Sequence, residues 1–261
     1  LLCLLRAVAL SGLACSVPAP AVASSKLAWT EHHHPVLVAA AIHILLPFDY
    51  IAYRLSGHAV TERGGASGTG YFNPFDNSWD LELAELAVPG IEWPAKLPDI
   101  LPSNAAAGMV HDQAELGALT GATVGTGTGD NMTAALGLAV KPGDTVISLG
   151  TSGTIYGLTE TGVRDATGAI NGYADATGAF LPMVTTLNAA KVTDAMRRLL
   201  EVSRETFDEL ALSAPPGADG LVLVPYFDGE RTPNLTGATG ALTSLRPTVT
   251  RARFARAAVE G

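Results

Sequence analysis

Two β-branched runs, Thr145–Leu149 and Thr154–Leu158, are separated only by Gly150-Thr151-Ser152-Gly153, and this narrows the choice of fold most. Strands joined by so short a glycine-bounded link pair as an antiparallel hairpin. Ala179–Val184 reads as a third strand. A helix follows with Val192, Met196, Leu199 and Leu200 on one face. Leu221–Tyr226 is a fully apolar strand, and Thr250 can cap a last helix carrying Phe254, Ala257 and Ala258 on one face. Hairpin, strand, helix, strand, helix is an α/β order. The turn Lys141-Pro142-Gly143-Asp144 precedes it and marks a domain boundary, dividing residues 1–141 from 142–261.

The half before that turn is more broken. Val36–Ile44 predicts a short apolar helix, and Pro47-Phe48-Asp49 opens another over Tyr50–Leu55 that Gly57 stops. Residues 64–70, Gly-Gly-Ala-Ser-Gly-Thr-Gly, predict a loop or tight turns. Asn77-Ser78 can cap a helix through Trp79, Leu83, Leu86 and Ala87. Four prolines in residues 89–103 predict an extended connection, and Asp112–Leu119 a short helix. Ala122-Thr123-Val124 is β-like and runs through a glycine-rich turn into a helix over Met132–Ala139.

Composition removes several classes. With 48% hydrophobic and 16% charged residues the chain is not disordered. A net charge of −9 without a Lys/Arg cluster argues against a nucleic-acid or anionic-membrane surface. The two cysteines, Cys3 and Cys15, give no disulfide scaffold, and a reducing, cytoplasmic compartment is expected. Leu1–Ser25 is apolar but lacks a basic leading segment and is too interrupted to span a bilayer. It reads as a helix whose start lies upstream. His32-His33-His34 cannot all face one ion and read as solvated turn residues.

Three places carry chemistry. Asp130 follows a strand and the turn Gly125-Thr-Gly-Thr-Gly129, at the start of a helix. It is either a helix N-cap or a general base. The tip Gly150–Gly153 is either a plain β-turn or an anion nest with hydroxyl donors. Pro225-Tyr-Phe-Asp-Gly-Glu-Arg-Thr-Pro233 places three charges after a buried strand, where α/β ligands bind, or else forms a solvated loop with a local Glu–Arg pair.

Together, Gly127-Thr-Gly-Asp130-Asn-Met-Thr-Ala-Ala-Leu-Gly137, Ser148-Leu-Gly-Thr-Ser-Gly153 and Pro225-Tyr-x-x-Gly-Glu-Arg-Thr-Pro233 resemble the FGGY carbohydrate kinases, and within them the xylulokinases. Lys26-Leu-Ala-Trp29, Leu46-Pro-x-Asp-Tyr50, Arg54-Leu-Ser-Gly57 and Ala66-Ser-Gly-Thr69 follow in the family's order. The resemblance implies an actin/hexokinase-like (ribonuclease H-like) two-domain α/β fold, with the sugar side in residues 1–141 and the nucleotide side in 142–261. It implies transfer of the ATP γ-phosphoryl group to D-xylulose, with Mg²⁺ on the phosphates. Asp130 matches the base, Asn131 a sugar-binding neighbour, Gly150 and Thr151 the phosphate hairpin, and Gly240 a glycine near the nucleotide.

Other FGGY substrates (gluconate, ribulose, glycerol, a tetritol) and a non-catalytic kinase-like binding protein are the alternatives. A homodimer is compatible with the resemblance. The sequence departs from the family in three places. The segment before Lys26 is shortened, with Ala23 and Thr30 at two motif positions, and the acid before Ala-Ser-Gly-Thr is Gly65. The family's opening Asp-x-Gly-Thr hairpin, Met-His-Gly loop and Gly-Gly-Gly motif have no counterpart. The chain is therefore expected to be the middle of such a kinase, incomplete at both ends.

Overall fold

The computed structural model describes residues 22–112 and 116–261. Cys3, Cys15 and most of the apolar leading segment lie outside the described residues. So does the middle of the helix expected over Asp112–Leu119, where a 3₁₀ turn at Gly117–Leu119 is seen. Packing divides the chain into two compact units. One comprises Leu1–Val146 with Tyr156–Met183, the other Ile147–Ile155 with Val184–Gly261.

The first unit begins with α1 (Ala23–His33), and His32 and His33 close its last turn rather than lying in a loop. Their rings remain exposed, and His33 stacks on Trp29 with centroids 4.3 Å apart. The second helix, α2, runs Pro35–Ala40 and stops short of the expected Ile44. The physical reason is a lysine. Lys96 Nζ donates to the carbonyls of Val38, Ala39 and Ala41, satisfying helix-end acceptors with a cation. Next, α3 (Pro47–Ser56) has Pro47 at its first position and ends on Gly57, whose φ of 78° lies in the left-handed region.

A parallel pair follows, β1 (Val60–Glu62) with the later strand over Asp99–Leu101. Residues 64–70 are not all loop: Arg63–Ala66 form a single helical turn, α4, capped by the Glu62 side chain. The strands β2 (Phe72–Asn73) and β3 (Ser78–Trp79) then pair around a turn in which Asn77 has φ 51°. Helix α5 (Leu81–Ala87) is capped by Asp80, which accepts from Leu83 N at 2.9 Å, not by Asn77 or Ser78. Trp79 sits in β3 instead of on the helix, its Nε1 donating to the Pro98 carbonyl at 2.9 Å.

The proline-rich stretch also contains structure. Trp93–Lys96 form α6, with Pro94 in the first turn where a missing N–H costs nothing. Asp99–Leu101 form β4. Antiparallel β5 (Ala106–Met109) and β6 (Thr123–Gly125) lead to α7 (Asp130–Gly137).

The expected hairpin is present as β7 (Thr145–Leu149) and β8 (Gly153–Gly157). With β9 (Asn171–Ala174) and β10 (Phe180–Thr186) it makes a four-stranded sheet in the order β7-β8-β10-β9. No sequence signal marked β9. Its pairing with β10 puts Asn171 opposite Met183. Met132, Ala135, Tyr156, Leu158, Leu181 and Met183 form a core around α7.

Arg63 ties two turns of this unit together. Its buried guanidinium donates to Asn77 Oδ1 (2.7 Å), Pro74 O (3.2 Å), Asp175 O (3.2 Å) and Ala179 O (2.5 Å), and pairs with Asp175 Oδ1 at 3.4 Å. Gly65 is a matter of volume. A Cβ there would lie 2.1 Å from Phe48 Cζ, so the Phe48 ring fills the space that the family's acid would need.

In the second unit α8 (Ala190–Leu199) and α9 (Arg204–Ser213) precede β11 (Val222–Val224) and β12 (Ala241–Thr243), an antiparallel pair. The last helix, α10 (Arg251–Glu260), is capped by Thr250, as expected. The core comprises Val192, Phe207, Ala211, Leu223, Ala255 and Ala258. Leu199, expected on the inner face of α8, is 65% exposed. Among the described residues no helix is long and apolar enough to cross a membrane.

The charged segment after β11 is not a solvated loop. Glu230 is buried and accepts from Thr186 Oγ1 (2.6 Å), Leu187 N (2.7 Å), Asn188 Nδ2 (2.9 Å) and Arg231 N (2.6 Å). Burial pushes its carboxyl upward, but these hydrogen bonds together outweigh it and hold the group below the usual carboxylate range.

Two measurements follow. Glu230→Gln puts an amide donor against other donors and is expected to cost about 2 kcal/mol at neutral pH, read by denaturant unfolding. Because the native value is depressed, Glu230 stabilises fully above the unfolded carboxylate value of about 4.3 and loses that stabilisation as pH falls through the native one. The gap between wild type and variant should therefore close in acid. Separately, Gly65→Ala should cost roughly 1–3 kcal/mol through overpacking on Phe48. Most of that cost should vanish in a Phe48→Ala background; equal costs in both backgrounds would show that the ring is not what excludes a side chain.

Candidate functional site

Asp130 is the first residue of α7, and Gly129 is the N-cap. Asp130 Oδ1 accepts from a backbone amide of the first turn, so a capping contact is present, made by one carboxylate oxygen only. Oδ1 accepts from Asn131 N (2.8 Å) and Asn131 Nδ2 (3.1 Å). Oδ2 takes part in no hydrogen bond among the described residues, and the residue is exposed. A carboxylate at a helix N-terminus, oriented by its neighbour and with one oxygen uncommitted, can accept a proton from an incoming hydroxyl.

The loop that delivers Asp130 is firmly held. Gly127 adopts φ 72°, a conformation glycine takes without strain, and a Cβ there would meet Phe48 Cδ2 at 3.1 Å. Thr126 Oγ1 donates to Ser103 O at 3.2 Å, and Thr128 Oγ1 donates to Glu62 Oε1. Tyr156 lies behind this helix, 2% exposed. Burial pushes its phenol up, and the negative charge of Asp130 pushes in the same direction, so it stays neutral at physiological pH. Neither Glu62 nor Tyr156 was singled out from sequence.

In the second unit the hairpin tip is anchored through its carbonyls. Gly150 O accepts from Ala190 N (2.9 Å), and Thr151 O accepts from Ala189 N (3.3 Å) and Lys191 N (3.4 Å). The first amides of α8 are thereby satisfied by the tip. Gly150 N donates to Ser152 O at 2.9 Å and tightens the turn. The amides and hydroxyls of Thr151 and Ser152 take part in no hydrogen bond among the described residues, and both residues are exposed. Donors left open on a rigid tip fit a phosphate group. Gly240, expected beside a nucleotide, has a packing reason of its own: a Cβ would lie 2.4 Å from Phe227 Cδ1.

No group of three or more His, Cys, Asp or Glu among the described residues is placed to hold a metal ion. These residues offer Mg²⁺ no cage of their own. Asp130 and Asn131 belong to the first unit, and Gly150, Thr151 and Gly240 to the second.

Two family models match the chain. Residues 10–137 match the N-terminal domain of the FGGY family of carbohydrate kinases, and residues 145–261 match its C-terminal domain. The chain is 42% identical over 246 residues to the xylulose kinase of Streptomyces rubiginosus, covering 94% of this chain and 49% of that protein. The crystal structure of xylulose kinase from Bifidobacterium adolescentis superposes with a TM-score of 0.81 at 35% identity, covering 94% of this chain and 54% of the other. The gluconate kinase of Lactobacillus acidophilus superposes with 0.84 at 26% identity, covering 93% and 50%. The chain thus spans about half the length of the curated relatives it matches. Its fold is that of the actin/hexokinase-like sugar kinases, and the chain belongs to the FGGY family of carbohydrate kinases.

Proposed function

We propose that this chain carries the proton-accepting and phosphate-facing residues of a D-xylulose kinase, which makes D-xylulose 5-phosphate. The observation that carries the reading is the Asp130 carboxylate, exposed at a helix start with Oδ2 uncommitted, in a chain that matches both FGGY domains. Xylulose is preferred as acceptor because the 42%-identical relative is a xylulose kinase. The family domain boundary falls at about residue 141/142 in this reading.

Bound ATP supplies the transferable γ-phosphoryl group. Asp130 accepts the proton of the attacking sugar hydroxyl as its oxygen bonds to the γ-phosphorus and the bond from that phosphorus to the leaving ADP breaks. Asn131 holds Asp130 in orientation and faces a sugar hydroxyl. The amides of Thr151 and Ser152 and their hydroxyls donate to phosphate oxygens, with Gly150 keeping the tip narrow enough for close approach. Gly240 leaves room beside the nucleotide in this reading, in addition to admitting Phe227. Turnover requires the half of the kinase that these residues do not span, and its compartment is the cytoplasm.

In the complete kinase, Asp130→Ala should lower turnover by about 10³-fold or more while ATP binding, read by calorimetry, persists. Near-normal turnover would remove Asp130 from the base role. A sugar panel should rank D-xylulose above gluconate, ribulose and glycerol. Preference for gluconate would keep the kinase and replace the substrate.

A further inference from the structure

Glu62 is completely buried, with 0% of its surface exposed, and lies far in sequence from the candidate base. Its carboxylate is fully occupied. Oε1 accepts from Gly65 N (2.5 Å) and from Thr128 Oγ1, and Oε2 accepts from Gly64 N (2.8 Å) and Ser103 Oγ (2.9 Å). Four donors match the four acceptor sites of a carboxylate. Ser103 O in turn accepts from Thr126 Oγ1.

The two threonines of Gly125-Thr-Gly-Thr-Gly129 are thus pinned by hydroxyls at both ends of one network, and the glycines between them add no side-chain anchor. Beyond Thr128 the packing continues. A Cβ on Gly64 would come within 2.9 Å of Met132 Cγ and 3.1 Å of Thr128 Oγ1, so α4 presses directly on the first turn of α7. Asp130 sits two residues after Thr128, at the start of that turn.

We infer that Thr128, held by Glu62, is a positioning residue for Asp130. The inference rests on the kinase reading above. The Thr128–Glu62 bond sets the direction in which the Gly129 peptide enters α7, and so the direction of the Asp130 carboxylate. Misplacing a reacting group by about 1 Å is enough to slow catalysis substantially.

The test uses the complete kinase with Thr128→Val, which keeps the volume but removes the hydroxyl, and Thr128→Ser, which keeps the hydroxyl. Thr128→Val should lower kcat roughly 10- to 100-fold with KM for ATP and D-xylulose within about threefold. Thr128→Ser should retain kcat within about threefold. Amide hydrogen exchange should show residues 127–131 opening at least about tenfold faster in the valine variant, with the β9–β10 amides unchanged.

A kcat for Thr128→Val within threefold of wild type overturns the positioning role. So does a loss of kcat no larger than the loss of folded protein measured by thermal melting. Asp130→Asn separates the two ideas. If it is inactive while Thr128→Val is fully active, only the positioning role falls. If Asp130→Asn turns over normally, the base assignment falls and takes the positioning role with it.

Discussion

The first unit depends on one carboxylate that never meets water. Stripping an ion of its hydration costs several kcal/mol, and only full occupancy of its oxygens offsets that cost. Glu62 meets the condition with two backbone amides and two hydroxyls drawn from three separate stretches of chain. Each of those stretches is glycine-rich or lacks regular structure, and could not hold its shape through apolar packing alone. The charge is thus a cross-link between segments that have little other reason to stay together. Its attachment points include the loop that ends in Asp130.

The second unit uses the same device at Glu230. There the acceptor collects amides and side chains from the end of β10 and from the charged segment after β11. Arg63 is the cationic version, a fork of donors spread over carbonyls from two turns. In all three cases the partners are mostly neutral groups. Hydrogen bonds to neutral groups fix direction as well as distance, which an exposed ion pair such as Lys191–Asp228 at 3.5 Å does not. Rigidity of this kind reaches the loop that feeds α7 and Asp130 through the Glu62–Thr128 bond.

Much of the fold was legible because local signals were unopposed. The hairpin β7–β8, the α10 cap at Thr250 and the stop of α3 at Gly57 each need only their own few residues. What was missed depends on partners distant in sequence. Strand β4 is three residues long and exists because β1 pairs with it in parallel. Helix α2 ends where Lys96, more than fifty residues on, reaches its carbonyls. The site divides in the same way. Asp130 and the tip at Gly150–Thr151 stand out by their motifs, whereas no local motif marks Glu62. Charged residues are ordinarily exposed, so sequence alone gives little reason to bury one.

Gly65 shows how a departure from a motif can be absorbed by packing. The resemblance puts an acid at this position, and on sequence alone its loss reads as a lost contact. In the structure the space is filled by Phe48, whose ring also lies against Gly127. The aromatic ring from α3 thus supports the turn before Asp130 from one side while Glu62 holds it from the other. Restoring the acid without shrinking Phe48 would set two groups in one place. Position 65 is therefore readable only together with position 48, and the two are best understood as a single packing unit under the loop that leads to Asp130.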